Sequence, residues 1–203
     1  MAAGRHTRAT ADRFDAKYYA KWYADRADRA AIADRALRFV LTYIDHMDAD
    51  IGSALDLGCG LGFWKKALNR QAKAVRYTGV EYSAYLCQKY GWQQGDAVTY
   101  SPGRAFDLVI CQGVLQYLSD RDCAAAIENL GRLSRRFLYL EVLTAGDAKQ
   151  VCCPEGTDFE VHVRGASWYA KRLKANFVNL GGGLYAKPTM RDHYFELWCT
   201  GAA

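Results

Sequence analysis

The segment SALDLGCGLG, residues 53–62, restricts this chain more than any other feature. Ser53 to Leu57 is a short apolar run, too brief for a helix and suited to a strand buried on both faces. Three glycines spaced by two, Gly58, Gly60 and Gly62, follow at once. Without Cβ atoms they let the backbone turn sharply and come close to a ligand. Trp64 to Arg70 then reads as a helix, whose N-terminus brings unpaired N–H donors to the same turn. Strand, glycine turn and helix in that order commit the chain to a layered α/β fold. The place to look for a ligand is the carboxyl end of the strands.

The rest of the chain keeps the alternation. Strands are expected at Arg76–Glu81, Trp92–Gln94, Phe106–Cys111 and Phe137–Leu143, with helices at Ala84–Tyr90, Asp122–Leu133 and Ser167–Ala175. Phe177–Tyr185 and Tyr194–Thr200 are expected as two closing strands, paired as an antiparallel hairpin at the sheet edge. Gly181, Gly182 and Gly183 within the first of them point to a bulge or a close backbone approach. Residues 12–46 contain neither Pro nor Gly and read as one or two helices.

The glycine spacing separates this turn from a dinucleotide site. G-x-G-x-x-G counted from Gly58 would place its third glycine at 63, where Phe63 stands. Asp56 at the strand end would repel a pyrophosphate and suits a ligand with a positive end. S-adenosylmethionine, with an ammonium, a sulfonium and no phosphate, fits that requirement. Glu81 ends the next strand 19 residues after Gly62, where a carboxylate can accept both ribose hydroxyls. Asp96, in Gly95-Asp96-Ala97, can take the adenine amino group. The alternative for each acid alone is a solvated loop carboxylate.

Residues 54–143 resemble the core of the class I S-adenosylmethionine-dependent methyltransferases. The matching segments are ALDLGCGLG (54–62), YTGVEYS (77–83), QGDAVTY (94–100), FDLVICQGVLQYL (106–118) and FLYLEVL (137–143). The resemblance implies a Rossmann-like three-layer α/β/α sandwich, with a mostly parallel seven-stranded sheet in the order 3-2-1-4-5-7-6. It implies that Asp56, Gly58, Gly60 and Gly62 contact the methionine part, Glu81 the ribose and Asp96 the adenine end. Cys59, Tyr82 and Ala97 count with them as cofactor-binding. Cys111 and Gln112 fall where post-strand residues face the cofactor, and Tyr117 opens the next segment, where it counts as substrate-binding. S-adenosylhomocysteine would be the product. Two departures narrow the acceptor. No Asn-Pro-Pro-Tyr sequence follows the fourth strand, as amino-group methylators of bases and glutamine carry. No metal cluster of the catecholate type is evident, and Asp107 is expected to face solvent or a neighbouring turn.

Methyl transfer asks the protein to align a nucleophile, exclude water and, for a protonated acceptor, remove a proton. Two segments are candidates for that work. Phe14 to Tyr23 carries Tyr18, Tyr19, Trp22 and Tyr23 at helical spacing. As a lid it would set aromatic faces against a cationic group, with Tyr18 a catalytic candidate and the other three binding substrate. The alternative is an amphipathic helix burying rings. Thr157 to Arg164 alternates, placing Asp158, Glu160, His162 and Arg164 on one side. His162 is the general-base candidate and Arg164 a clamp for a substrate carboxylate, with Trp168 walling the same pocket. The alternative is a solvated strand face with an ordinary ion pair. Residues 1–50 would then form an N-terminal helical lid over a single domain at 51–203.

Composition excludes other classes. At 51% hydrophobic and 24% charged the chain is not disordered. Its net charge of +5 is scattered, which argues against nucleic acid. No apolar run reaches the ~18 residues of a membrane span, and the first 20 residues lack a signal-peptide core, so a cytoplasmic location is expected. Seven cysteines without a C-x-x-C pair and four histidines give no zinc site; vicinal Cys152 and Cys153 read as free loop thiols. The expected activity is methylation of a small-molecule acceptor at oxygen, nitrogen or sulfur. The alternatives are non-methyl chemistry on the same cofactor, such as cyclisation or aminoalkyl transfer, or a non-catalytic cofactor-binding subunit. The sequence sets no oligomeric state.

Overall fold

The computed structural model describes residues 11–24 and 26–200. Its strands are β1 (Ser53–Leu57), β2 (Arg76–Glu81), β3 (Gln93–Gln94), β4 (Phe106–Gln112), β5 (Ser134–Glu141), β6 (Val178–Gly181) and β7 (Leu184–Ala186). They form one sheet in the order β3-β2-β1-β4-β5-β7-β6. The pairs from β3 to β5 are parallel, and β7 runs antiparallel to both β5 and β6. Helices α1 (Ala16–Trp22), α2 (Arg26–His46), α3 (Phe63–Gln71), α4 (Ala84–Tyr90), α5 (Asp120–Leu133), α6 (Ala145–Gln150) and α7 (Ala166–Leu173) complete it. This is the expected Rossmann-like sandwich.

The central strands are apolar throughout because each face of the sheet has its own core. Leu55, Leu57, Val109, Cys111, Leu138 and Leu140 pack beneath Ile127 and Leu130 of α5 and Tyr169 and Leu173 of α7. Their neighbours in sequence, Ala54, Leu108, Ile110, Phe137 and Tyr139, face the other way, onto Leu37, Val40 and Ile44 of α2 and Leu68 of α3. Alternate side chains thus enter opposite cores, each buried leucine or isoleucine contributing about 1.5–3 kcal/mol. Within the expected lid, α2 covers the sheet, and residues 11–24 lie over the strand ends. No described helix is long and apolar enough to cross a membrane.

Three expectations are corrected. Phe177–Tyr185 is not one strand but the hairpin of β6 and β7, turning through Gly181, Gly182 and Gly183, all at positive φ. A Cβ on Gly183 would stand 2.9 Å from the Leu140 carbonyl oxygen, so the turn sits tight against β5. Tyr194–Thr200 is not a strand. Pro188–His193 and Glu196–Trp198 are 3-10 turns instead, and Trp198 stacks on His46 of α2 at 4.5 Å. Residues 157–164 form no strand either; the segment is irregular, with a single bridge from Arg164 to Thr144.

Asp107 also departs from expectation. It is 4% exposed rather than solvent-facing. It accepts from Gly52 N–H and Ser53 Oγ, both at 2.9 Å, and from Arg135, whose Nε stands at 2.8 Å. Burial alone would raise its pKa; the bonds from Arg135, Gly52 and Ser53 outweigh it and hold the carboxyl below the usual range. Asp107 thus ties the starts of β1, β4 and β5 together. A depressed folded pKa gives stability that is present above the unfolded value of about 4 and lost as pH falls through the folded one. Asp107→Asn is therefore expected to cost about 1–3 kcal/mol at pH 7. The gap to wild type should close below about pH 4, as urea titrations at both pH values will show.

Candidate active site

The glycine turn between β1 and α3 is built from both sides. Gly58 N–H and Cys59 N–H both donate to the Val80 carbonyl of β2, at 2.8 and 3.1 Å. Gly58 has φ +84°, and a Cβ there would meet Val114 at 2.4 Å, so the segment after β4 requires the glycine. Gly60 N–H donates to Glu81 Oε2 at 2.7 Å. The other oxygen of Glu81 accepts from Tyr82 N–H at 2.9 Å and Ser83 N–H at 2.8 Å. Glu81 therefore holds two turns, one after β1 and one after β2. Burial pushes its pKa up, against the three N–H donors.

Asp56, next to last in β1, is 2% exposed. Burial raises its pKa to about 7, opposed by the Tyr77 hydroxyl that donates to it at 2.8 Å and reinforced by the charge of Glu81. Tyr77 was not singled out by sequence, although it lies on the same side of β2 as Glu81 at period two. Gln112, at the end of β4, accepts from Trp64 Nε1 at 2.8 Å and donates to Glu141 Oε2 at 3.1 Å. Trp64, expected from the sequence as a core residue, is buried in the core and also lines the larger cavity described below. Glu141 escaped the sequence reading, although it carries the signal that marks Asp56 and Glu81, an acid at the end of a strand.

Two adjoining cavities open at this edge of the sheet. The larger, about 490 Å³, is lined by Asp56, Cys59, Gln112, Gln116 and Glu141 among others. The smaller, about 90 Å³, is lined by Glu81, Tyr82, Asp96 and Ala97. Both include Gly58, Gly60, Tyr18, Tyr23 and Tyr117. Gly62 shapes the turn from beneath, at φ +73° and against the Trp92 ring. Asp96 accepts from Val98 N–H at 2.7 Å and Thr99 N–H at 3.1 Å, which folds its own loop beside the smaller cavity.

The roof comes from residues 11–24. Asp15 caps α1 by accepting from Tyr18 N–H at 2.9 Å. Tyr19 is buried against Leu61 and Leu86 and lines the smaller cavity, and Trp22 lines the larger. Tyr18 and Tyr117 share a hydroxyl hydrogen bond of 2.7 Å, and Tyr117 donates to Asp158 at 3.2 Å. Arg13 grips both oxygens of Asp158, at 3.1 and 2.9 Å. Burial pushes the Tyr18 and Tyr117 phenols well above 10, so both stay protonated and serve as donors.

Other sequence candidates lie elsewhere. Cys111 is buried in the core and lines neither cavity. His162 also lines neither; its backbone N–H donates to the Gln116 carbonyl at 2.8 Å. Arg164 is only 6% exposed and is not brought to the cavity. Its guanidinium donates to Asp120 at 2.7 Å, the Leu118 carbonyl at 2.5 Å and Tyr169 OH at 3.2 Å. It ties the turn at Leu115–Tyr117 to α7. Trp168 lies against Arg164 and Arg172, away from both cavities. The reason is the irregular path of 157–164, which lets Arg164 turn inward while Asp158 reaches the roof.

Residues 55–136 match a family model described as a methyltransferase domain. No curated protein sequence matches the chain. Among solved structures, N-methyltransferase NodS from Bradyrhizobium japonicum, in complex with S-adenosyl-L-homocysteine, is 17% identical. It covers 82% of this chain and 91% of its own, with a TM-score of 0.56. Magnesium protoporphyrin IX methyltransferase ChlM from Synechocystis, with bound S-adenosylmethionine, is 19% identical, covering 87% and 91%, at 0.57. The plantazolicin methyltransferase BpumL, in complex with a substrate analogue and S-adenosylhomocysteine, is 18% identical, covering 78% and 68%, at 0.59. Residues 55–136 thus resemble a methyltransferase domain, and the chain shares the fold of these solved methyltransferases.

The environment of Asp56 has a measurable cost. Its folded pKa of about 7 exceeds the unfolded value of about 4, so its effect on stability turns unfavourable as pH rises between them. Asp56→Asn removes the charge and keeps an acceptor for Tyr77. The variant is expected to melt with wild type near pH 4 and above it at pH 8, the gap widening between pH 4 and 7. A variant less stable than wild type at pH 8 would contradict this.

Proposed function

We propose that this chain transfers a methyl group from S-adenosylmethionine to a small-molecule acceptor and releases S-adenosylhomocysteine. One observation carries the reading. The buried carboxylate of Asp56 and the glycine turn pinned by Glu81 open on a shared cavity at the carboxyl edge of the sheet.

The donor set fits the cofactor. Asp56 is a carboxylate without a cationic partner among the described residues, and would hold the ammonium of the methionine part. Gly60 has no atom nearer than 3.9 Å to the Cβ it lacks, so the turn leaves space for a ligand. Tyr82, Asp96 and Ala97 line the smaller cavity beside Glu81 and would hold the nucleoside, with the one lone pair left on Glu81 Oε2 available to a ribose hydroxyl. When bound, S-adenosylmethionine supplies a methyl group already activated by its sulfonium.

The protein then has to orient the acceptor, keep water out and manage protons. Residues 11–24 do the covering. The chain from Tyr18 through Tyr117 and Asp158 to Arg13 clamps them onto the 157–160 segment. Tyr18 donates rather than abstracts, so we assign it to positioning. Among the residues lining the larger cavity, Glu141 and Asp158 are the candidates to receive an acceptor proton, and His162 stands outside. A volume near 490 Å³ under an aromatic roof suits a small acceptor. The similarity to enzymes named for magnesium protoporphyrin IX and plantazolicin supports the same class.

Calorimetry with S-adenosylhomocysteine tests the cofactor. Binding is expected in the micromolar range, about −8 kcal/mol. Asp56→Asn should weaken it by about 10- to 100-fold, the loss of one hydrogen bond to a charge. Absence of heat with folded wild type overturns the reading. Tyr18→Phe tests the positioning role. It should lower kcat/KM by no more than about tenfold, the scale of one neutral hydrogen bond, without shifting the pH profile.

A further inference from the structure

The lining of the larger cavity narrows the acceptor, an inference that rests on the methyltransferase reading. The chain as a whole carries 27 Lys and Arg against 22 Asp and Glu. The cavity reverses that sign. Asp56, Glu141, Asp147 and Asp158 line it, and Arg29 is the only cation among the described lining residues.

Three of these acids are already engaged. Asp56 accepts from Tyr77 and is assigned to the methionine ammonium. Asp158 is gripped by Arg13. Asp147 closes the capping box of α6, accepting from Thr144 N–H at 2.9 Å and Thr144 Oγ1 at 2.7 Å. Glu141 differs. It is the last residue of β5, level with Gln112 on β4. Its Oε2 accepts from Gln112 Nε2 at 3.1 Å and Tyr139 OH at 3.3 Å, both neutral donors. No described cation pairs with it. The guanidinium of Arg29 lies instead over the Tyr23 ring, at 5.4 Å.

The aromatic lining points the same way. The wall offers a carboxylate without a cationic partner and the rings of Tyr23, Phe63 and Trp64. Both favour N–H donors with positive charge and oppose a carboxylate or phosphate.

We propose that the acceptor is a small organic amine, held as its ammonium by Glu141 beside these rings and methylated on that nitrogen. The ammonium first releases one proton to Glu141, which passes it on to solvent and returns to the carboxylate. The freed lone pair forms the bond to the methyl carbon while the carbon–sulfur bond breaks, its electron pair remaining on sulfur. The positive charge passes from sulfur to nitrogen, so the products are a methylated ammonium and a neutral thioether. Glu141 then faces the charge as it develops, where a carboxylate is stabilising.

Matched probes test this: 2-phenylethylamine, 2-phenylethanol and phenylacetate, with hexylamine, hexanol and hexanoate as a second set. Each is titrated into the protein saturated with S-adenosylhomocysteine and into the protein alone, for wild type and Glu141→Gln. In at least one set the amine should bind about tenfold or more tighter than the alcohol, and the acid weakest. Glu141→Gln should reduce amine affinity about tenfold and leave alcohol and S-adenosylhomocysteine affinities within about twofold, which also shows that the variant is folded. An acid that binds as well as its amine, an unchanged preference in Glu141→Gln, or no binding by either amine overturns the proposal. If S-adenosylhomocysteine itself fails to bind, the methyltransferase reading falls, while the titrations into the protein alone still score the amine preference. If it binds and the acids win, that reading stands and the amine assignment falls.

Discussion

The carboxylate of Glu81 holds three backbone N–H groups from two turns, and the cavity edge is organised around it. One oxygen fixes Gly60 in the turn after β1, and the other fixes Tyr82 and Ser83 in the turn after β2. Parallel pairing of β1 with β2 brings those turns side by side, with Leu57 opposite Val80. The glycine turn packs only Cys59 and Leu61, so its shape depends largely on hydrogen bonds. Val80 supplies a carbonyl from beneath and Glu81 a carboxylate from above. A buried charge is tolerable here because the N–H groups it accepts would otherwise be orphans themselves.

The same edge concentrates negative charge that the rest of the fold would not tolerate. Asp56, one residue from the end of β1, and Glu81, at the end of β2, are both buried, and burial with the charge of Glu81 raises the energy of ionising Asp56. A cationic ligand would relieve that cost, which supports the proposed binding role of the pair. Asp107, at the opposite end of the sheet, shows the contrast. Equally buried, it has Arg135 and two neutral donors and serves only to join strands. Partners, not burial, separate the structural acid from the candidate functional ones.

Much of the architecture was legible because it rests on local patterns. β1 and β2 span the expected residues, and α4 begins at Ala84 behind the Ser83 cap, as its sequence requires. The seven-stranded order also matches the one implied by the methyltransferase resemblance. The failures share one cause: apolar or alternating runs whose partners lie far away in sequence. Tyr194–Thr200 looks like a strand, yet the hairpin of β6 and β7 already closes the sheet, and the run wraps onto α2 instead. Residues 157–164 alternate well, but no strand lies beside them to pair. Arg164 therefore turns into the interior, toward carbonyls of the Leu115–Tyr117 turn and its end.

By itself the sequence determined the alternation of strands and helices, the glycine turn and the acids that close β1 and β2. Each follows from residues within a few positions of one another, whose backbone preferences and burial period are local. Tertiary structure alone decided which side chains share the cavity. Tyr18 meets Tyr117 across 99 positions and Arg13 reaches Asp158 across 145. Glu141 stands beside Gln112 only because β4 and β5 pair in register. Such meetings depend on how separate elements pack, and no pattern within either segment encodes the distance between them.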